Sequence, residues 1–381
     1  MAESQQPETA LDQEFETIDL NINIGPQHPA THGVFRMVLT VDGEVVVDVT
    51  PHIGYMHRGA EKLSESLDYR QAIGFQDRTD YLGGFNCELC YVQAVEKLAG
   101  LEPPERAEYI RVILAEFNRI TSHFMFLGAF GTDLGVFGTA FTYAFREREY
   151  IQDLFEEVSG DRLMYAYFRP GGVAWDVPSN FKERVRWLTK QARVGADDMD
   201  KLLTDNEIFI ARTRGVGVLS VEDAIDYGVT GPILRASGMD YDLRKKEPYS
   251  IYDRFDFDAP VGTNGDSYDR YLVRLEEVRQ SLRIIDQAIE QMPDEGPILP
   301  ERLPRALRPA AGEVYMRCEN PRGEYGIYLV SRGGTQPYRL RIRGASFCNL
   351  SALRQMTIGH YIADAVTILG SIDIVLCEVD R

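Results

Sequence analysis

Residues 122–145, SHFMFLGAFGTDLGVFGTAFTYAF, carry one formal charge, Asp133, in a run long enough to cross a bilayer. How that run is accommodated limits the fold more than anything else in the chain. A membrane span is the first reading, but the residues argue against it. His123, Asp133 and the glycines 128, 131, 135 and 138 interrupt the run, so it never reaches the roughly 18 unbroken apolar residues of a span. A carboxylate at the centre of a lone span costs several kcal/mol. The run therefore predicts a helix–turn–helix buried in the core of a soluble lobe.

Charge narrows the function classes. The 41 Lys and Arg against 59 Asp and Glu give a net charge of −18. That balance excludes a nucleic-acid or anionic-membrane binder, which needs dense cationic side chains to meet phosphates. The five cysteines are an odd, sparse set, which points to a reducing compartment rather than a disulfide scaffold. The opening residues are polar and acidic with neither a basic nor an apolar region, so no secretory signal is expected. Residues 1–15 read as a disordered tail.

Patterning along the chain predicts an α+β protein: a small N-terminal antiparallel sheet, a central helical bundle and a C-terminal sheet. The expected division is 16–60, 61–300 and 301–381. Period-two alternation marks a strand at 16–24, and two more at 34–41 and 44–49 flank Asp42-Gly43, a strong hairpin signal. A 3.6-residue stripe begins after Pro103-Pro104, and a second runs over 145–158. Asn180 with Glu183 resembles a capping box opening a helix to about residue 205. Leu275, Val278, Leu282, Ile285, Ile289 and Met292 read as one face of an internal bundle helix. The Tyr- and Asp-rich stretch 239–267 lacks periodicity and predicts a long surface loop. Strands return at 313–318, 325–331 and 338–343, the first two joined by a Pro321-Arg322-Gly323 turn, and a helix is expected near 352–369. Arg339, Arg341 and Arg343 alternate in the last strand, either as a solvated face or as a contact for an acidic partner.

Several residues could carry chemistry. Four of the six histidines, His28, His32, His52 and His57, fall within residues 28–57. His28 and His32 follow Gly25-Pro26 on a turn, so their spacing lacks the helical geometry of a zinc motif. A loop histidine can instead exchange a proton near neutrality, although a structural histidine is the ordinary alternative. Cys87-Glu-Leu-Cys90 stands alone without a second pair, in a helical stretch, and reads as core packing. Arg78-Thr79-Asp80-Tyr81 sets a cation, a carboxylate and a phenol together, or simply opens a helix with a surface charge pair.

Longer motifs add a resemblance. NIGPQHPATHGVFRM, PHIGYMHRGAEKL, DRTDYLGG, FGTDLG, RPGGVAWD, RGVGVLSVEDAIDYGVTGPILRASGMDYDLR, GIYLVSRGGTQPYRLRIRGASF and GSIDIVLCEVDR together resemble the quinone-site subunit family of NADH-quinone oxidoreductase, respiratory complex I, over residues 16–381. The resemblance implies the fold of [NiFe]-hydrogenase large subunits without the metal site. It implies that His32 and Tyr81 hydrogen-bond the quinone carbonyls and that Asp133 partners the histidine. Arg58 and Arg78 would face the terminal iron–sulfur cluster of a neighbouring subunit, where positive charge favours the reduced cluster. This chain alone would bind no cofactor and have no isolated activity; FMN and further clusters would lie elsewhere in the complex. The implied partners are the B, C, I and H subunits and a quinone, on the cytoplasmic side of a bacterial cell membrane, within a proton-translocating enzyme.

Three readings compete with this. Hydrogenase activity fails because the required cysteine positions fall on Asp80, Gly83, Val375 and Glu378. A non-catalytic scaffold would tolerate Tyr81→Phe and His32→Ala. An equivalent quinone reductase fed by ferredoxin or reduced deazaflavin would share this subunit. One departure from the family pattern stands at SGDRLM, where Met164 replaces a histidine. A thioether cannot take up a proton, so the expectation is a cluster potential with little pH dependence and a low-potential quinone such as menaquinone.

Overall fold

The computed structural model describes residues 19–28, 33–136 and 138–381; the expected tail at 1–15 and His32 lie outside the described residues. The N-terminal sheet forms as the alternation predicts. Leu20–Ile24 (β1) pairs antiparallel with Arg36–Asp42 (β2), which pairs with Val45–His52 (β3) through a turn in which Gly43 takes φ +61°. Met37, Leu39 and Val41 point inward. They share a buried apolar cluster with Ile233, Leu353, Ile368 and Leu376, from much later in the chain.

The long helices are Gly84–Ala99 (α1), Glu105–Asp133 (α2), Thr139–Ser159 (α3), Phe181–Leu203 (α4) and Ser267–Gln291 (α5). The apolar run is indeed a helix–turn–helix: α2 ends on Asp133, and α3 begins after a turn with Gly135 at φ +87°. Its helical glycines serve the crossing. A Cβ on Gly131 would sit 2.8 Å from the Cβ of Ala140, and one on Gly128 3.2 Å from that of Ala144. Among the described residues, no helix is long and apolar enough to cross a membrane.

One expectation at a helix start needs correction. Asn180 precedes α4 but its side chain makes no capping bond, so the capping box is absent; Glu183 still lies in the first turn, where a carboxylate suits the helix dipole. Helix α5, which carries the Leu275–Met292 face, starts at Ser267 because Asp266 caps it, its carboxylate accepting from the Asp269 N–H.

The stretch 239–267 is irregular, as expected, but only part of it lies on the surface. Tyr249, Tyr252, Phe255 and Phe257 are buried, and Asp242 and Arg244 are buried with them. The segment lacks periodicity because its aromatic rings enter the core from short irregular turns. The buried Arg244 is paired: it bonds Asp242 at 2.7 Å and Glu116 of α2 at 3.1 Å, while Asp240, Lys245, Asp253 and Asp256 stay exposed.

Gly312–Asn320 (β4), Gly323–Ser331 (β5) and Arg339–Arg343 (β6) form the second antiparallel sheet in sequence order. Cys318, Tyr325, Ile327 and Leu340 bury into the same apolar cluster as α1, α2 and α5. The helix expected over 352–369 is broken: Leu353–Thr357 and Ile362–Ile372 (α6) are separate, and the chain ends in Leu376–Asp380 (α7).

Candidate active site

Helix α2 delivers Asp133 at its C-terminal end, and the 77–83 turn delivers Tyr81. The two side chains line one cavity of about 390 Å³, together with Gly33, Asp373 and the apolar Met125, Phe126 and Phe141. Few polar groups on apolar walls suit a flat, weakly polar ligand whose ends accept hydrogen bonds. A more open groove of about 1070 Å³, lined by Glu96, Glu105, Glu108 and Glu247, holds none of the predicted residues. We take the smaller cavity as the site because it gathers Tyr81 and Asp133, which stand far apart in sequence.

Behind the cavity wall lies a buried ion cluster that sequence reasoning missed. The Arg322 guanidinium donates to both oxygens of Asp80, at 3.0 and 3.1 Å, and to the Ser122 hydroxyl at 3.1 Å. It lies 3.4 Å from Asp373, which Arg274 approaches at 4.0 Å. All four charged side chains are buried. Burial opposes the charge on Arg322, but Asp373 and Asp80 outweigh it and keep the guanidinium ionised. Burial raises the Tyr81 phenol above its ordinary value, with Arg322 partly offsetting the rise. Tyr81 is thus a neutral O–H donor beside a fixed cation that would stabilise its anion.

Arg322 is reached through backbone contact rather than periodicity. It occupies the tight turn from β4 to β5, and that turn is pressed against Gly231, where φ is +70°. A Cβ on Gly231 would fall 2.4 Å from Gly323 Cα and 2.7 Å from the Arg322 carbonyl. Only glycine meets both demands. The reading of Pro321-Arg322-Gly323 as a plain turn had no local signal for the arginine's role, and Asp80 is no surface ion pair.

Arg58 and Arg78 are both exposed, and the Arg58 guanidinium donates to the Arg78 carbonyl at 2.9 Å. Asp380 of α7 holds the turn before Arg58, its carboxylate accepting from the Gly54 and Met56 N–H groups at 2.8 and 2.7 Å. His57 Nδ1 lies 2.6 Å from the Asp380 carbonyl. Two outward cations on a surface braced by the C-terminus suit a negatively charged neighbour.

The cysteine pair and two of the strand arginines serve the fold. Cys87 and Cys90 are buried on α1; the Cys90 thiol donates to the Tyr325 carbonyl at 3.4 Å, and Cys87 accepts from Asn320 at 3.2 Å. No group of His, Cys, Asp or Glu among the described residues could hold a metal ion. Arg339 pairs with Glu65 at 3.0 Å, and Arg343 donates to the Glu324 and Gly228 carbonyls, so two of the three strand arginines serve their own chain. The histidine cluster did not point to His123, which is fully buried on α2 and lies 2.7 Å from Glu277; burial lowers its proton affinity.

Comparison with known proteins places the chain in a family. The family described as respiratory-chain NADH dehydrogenase, 49 Kd subunit, matches residues 133–307 and 301–381. Proteins named as the D subunit of NADH-quinone oxidoreductase are similar over nearly their whole length. That of Dehalococcoides mccartyi is 54% identical over 94% of this chain and 98% of its own. Those of Carboxydothermus hydrogenoformans and Bacillus anthracis are 50% and 48% identical over 96% of this chain and 100% and 99% of theirs. The chain belongs to the 49 Kd subunit family of respiratory-chain NADH dehydrogenases and is a subunit of an oxidoreductase complex of the NADH-quinone type.

Proposed function

We propose that this chain binds the quinone of such a complex in the cavity between Tyr81 and Asp133 and supplies protons for its reduction. The observation that carries the reading is the convergence of those two side chains on one apolar-walled cavity. Quinone reduction consumes two electrons and two protons, so each carbonyl oxygen needs a donor. Tyr81 offers an O–H that burial keeps protonated until it is drawn off. Arg322 lies in the field of the same phenol and lowers the cost of the phenolate left behind. His32 is the proposed second donor, with Asp133 holding its ring oriented, and apolar walls keep bulk water from the reacting oxygens.

Arg58 and Arg78 form the proposed electron-entry face toward the terminal iron–sulfur cluster of the neighbouring subunit. That cluster supplies electrons one at a time; this chain supplies positive field and no ligand. The complex is proton-translocating, and this subunit, with the B, C, I and H subunits around it, sits peripherally on the cytoplasmic side of the membrane. NADH as electron donor is supported by the names of the relatives, and nothing observed favours the ferredoxin-fed or deazaflavin-fed equivalent.

The test is Tyr81→Phe and Asp133→Asn in the assembled complex in native membranes. A positioned proton donor contributes roughly 10²–10⁴-fold, so quinone reductase turnover should fall at least about tenfold. NADH oxidation by an artificial acceptor that bypasses the cavity should be unchanged. Full quinone turnover in both variants would leave this chain a scaffold.

A further inference from the structure

Residues 292–311, between the end of α5 and the start of β4, form neither helix nor strand. A structureless connection longer than about 12–15 residues is uncommon in a compact domain and usually carries function. Prolines 293, 297, 300, 304 and 309 stiffen this one and disfavour helix in the residues before them. The rest of the chain pins it at several points. The Ile298 carbonyl accepts from the Val173 N–H at 3.4 Å, and the Arg70 guanidinium donates to the Pro304 and Arg305 carbonyls at 2.8 and 2.9 Å. Leu307 is buried in the main apolar cluster, and the Pro309 carbonyl accepts from the Ser331 hydroxyl at 2.9 Å. The strip is thus held in one shape by its backbone and its apolar side chains, and its own arginine side chains take no part.

What the strip shows to solvent is positive. Arg302, Arg305 and Arg308 are exposed, and none of the three side chains makes an ion pair or a hydrogen bond among the described residues. Elsewhere the surplus of carboxylates meets exposed cations: Arg162 pairs with Glu149, Asp153 and Glu156, and Arg283 with Asp256 and Asp258. Here Glu301 is the one carboxylate between Pro300 and Gly312. A fourth guanidinium stands beside the strip, because Arg332 follows Ser331. It is exposed, and it lies over the Tyr338 ring at 3.3 Å rather than against an acid. Three free guanidiniums with a fourth beside them, in a chain of net charge −18, are complementary to an acidic surface. A nucleic acid, an anionic membrane or a second copy of this chain would meet the repulsion of the whole acidic molecule along with the strip. A short acidic segment of another chain meets the strip alone, within the Debye length of roughly 8–10 Å. Arginine suits that contact, since its planar fork binds carboxylates through paired hydrogen bonds.

We propose that Arg302, Arg305 and Arg308, with Arg332 beside them, are the docking strip for an acidic segment of a neighbouring subunit. The chain is a subunit of an oxidoreductase complex, so other chains of that complex lie around it. The strip is pre-shaped, so binding orders the arginine side chains but not the backbone that carries them. Its cations steer and select an acidic partner, which makes the contact sensitive to salt. The strip shares no residue with the quinone cavity or the Arg58–Arg78 face, so its test does not depend on theirs.

The test uses the assembled complex with a photo-crosslinking phenylalanine analogue at Ala306, an exposed position between Arg305 and Arg308. Irradiation should join this chain to one other subunit, at a segment rich in Asp and Glu. The yield should fall several-fold as ionic strength rises from about 0.05 to 0.5 M, because screening weakens the contact. Arg302→Glu, Arg305→Glu and Arg308→Glu combined should cut the yield at low salt at least about tenfold, and the same three positions changed to Gln should give an intermediate loss. The complex carrying the Glu triple should also release that subunit at lower salt than the parent. Absence of a crosslink, a salt-independent yield, or parental yield in the Glu triple would overturn the proposal. So would a crosslink to lipid, to a second copy of this chain, or to a neutral or basic segment. If the Glu triple does not assemble, the salt dependence of the parent and the yield of the Gln triple decide the matter, since neither introduces new negative charge.

Discussion

Arg322→Met tests whether the cavity rests on a buried ion cluster. The change keeps most of the aliphatic stem and deletes the guanidinium, so Asp80 keeps only its backbone N–H donors, Leu82 and Gly83, and loses its bonds to Arg322 at 3.0 and 3.1 Å, while Asp373 loses its neighbour at 3.4 Å. Arg274, at 4.0 Å from Asp373, is the cation that remains there. Stripping one partner from a buried ion pair costs about 3–5 kcal/mol, because the orphaned charge stays buried. Against a typical stability of about 5–15 kcal/mol, that is severe without being lethal. The orphaned carboxylates should respond by taking up protons, so the deficit should be largest near neutrality and shrink in mild acid. Urea unfolding of the purified chain at several pH values measures both effects. Adding Asp80→Asn removes the orphan, and the double variant should recover more than half of the loss. A single variant within about 1 kcal/mol of the parent, or a double variant no better than the single, would refute the cluster's role.

Other outcomes follow from the same surroundings. Glu378 accepts from the Ala345 and Ser346 N–H groups and stands at about 7 against an ordinary 4.5, through burial first and the charge of Asp80 second. The folded state thus favours the protonated form: stability is undiminished below 4.5 and falls by up to about 3 kcal/mol as pH rises through 7. Glu378→Gln should flatten unfolding free energy over that window, and an unchanged slope would assign the dependence elsewhere. Gly231→Ala meets the β4–β5 turn and a left-handed backbone at once, about 2–4 kcal/mol in total. It should depress quinone reductase more than Gly43→Ala, which has a similar φ but open space; equal effects in the two variants would show that the turn's position is not critical.

Period and punctuation made much of the fold legible. Met37, Leu39 and Val41 alternate because one face of β2 is buried, and Pro104 stands where α2 can begin without an N–H. These signals report apolar burial along one local element, where the free energy is largest and most regular. They failed at 239–267 for the same reason. Tyr249, Tyr252 and Phe257 are buried without belonging to a long helix or strand, so no period records them. Asn180 shows the reverse case: a capping sequence pattern at a true helix start whose side chain goes unused.

Charge pairing is invisible to periodicity because topology, not spacing, supplies the partner. Asp80 finds Arg322 across 242 positions, and Asp77 and Glu88 accept from the consecutive N–H groups of Ala166, Tyr167 and Phe168 although neither stretch marks the other. A charge can still be suspected when it stands where its neighbours are apolar, because an unpaired buried carboxylate would be intolerable. Asp133 in its apolar run satisfied that condition and does line the cavity. Asp80 and Asp77 did not, because Arg78 beside them made the segment look like a solvated helix start. The four charges of 77–80 and 322 divide by direction: Arg78 faces outward, while Asp77, Asp80 and Arg322 face inward. A turn only a few residues long thus carries the outward cation of the proposed electron-entry face and the inward acids behind it. It also holds Tyr81 at the cavity.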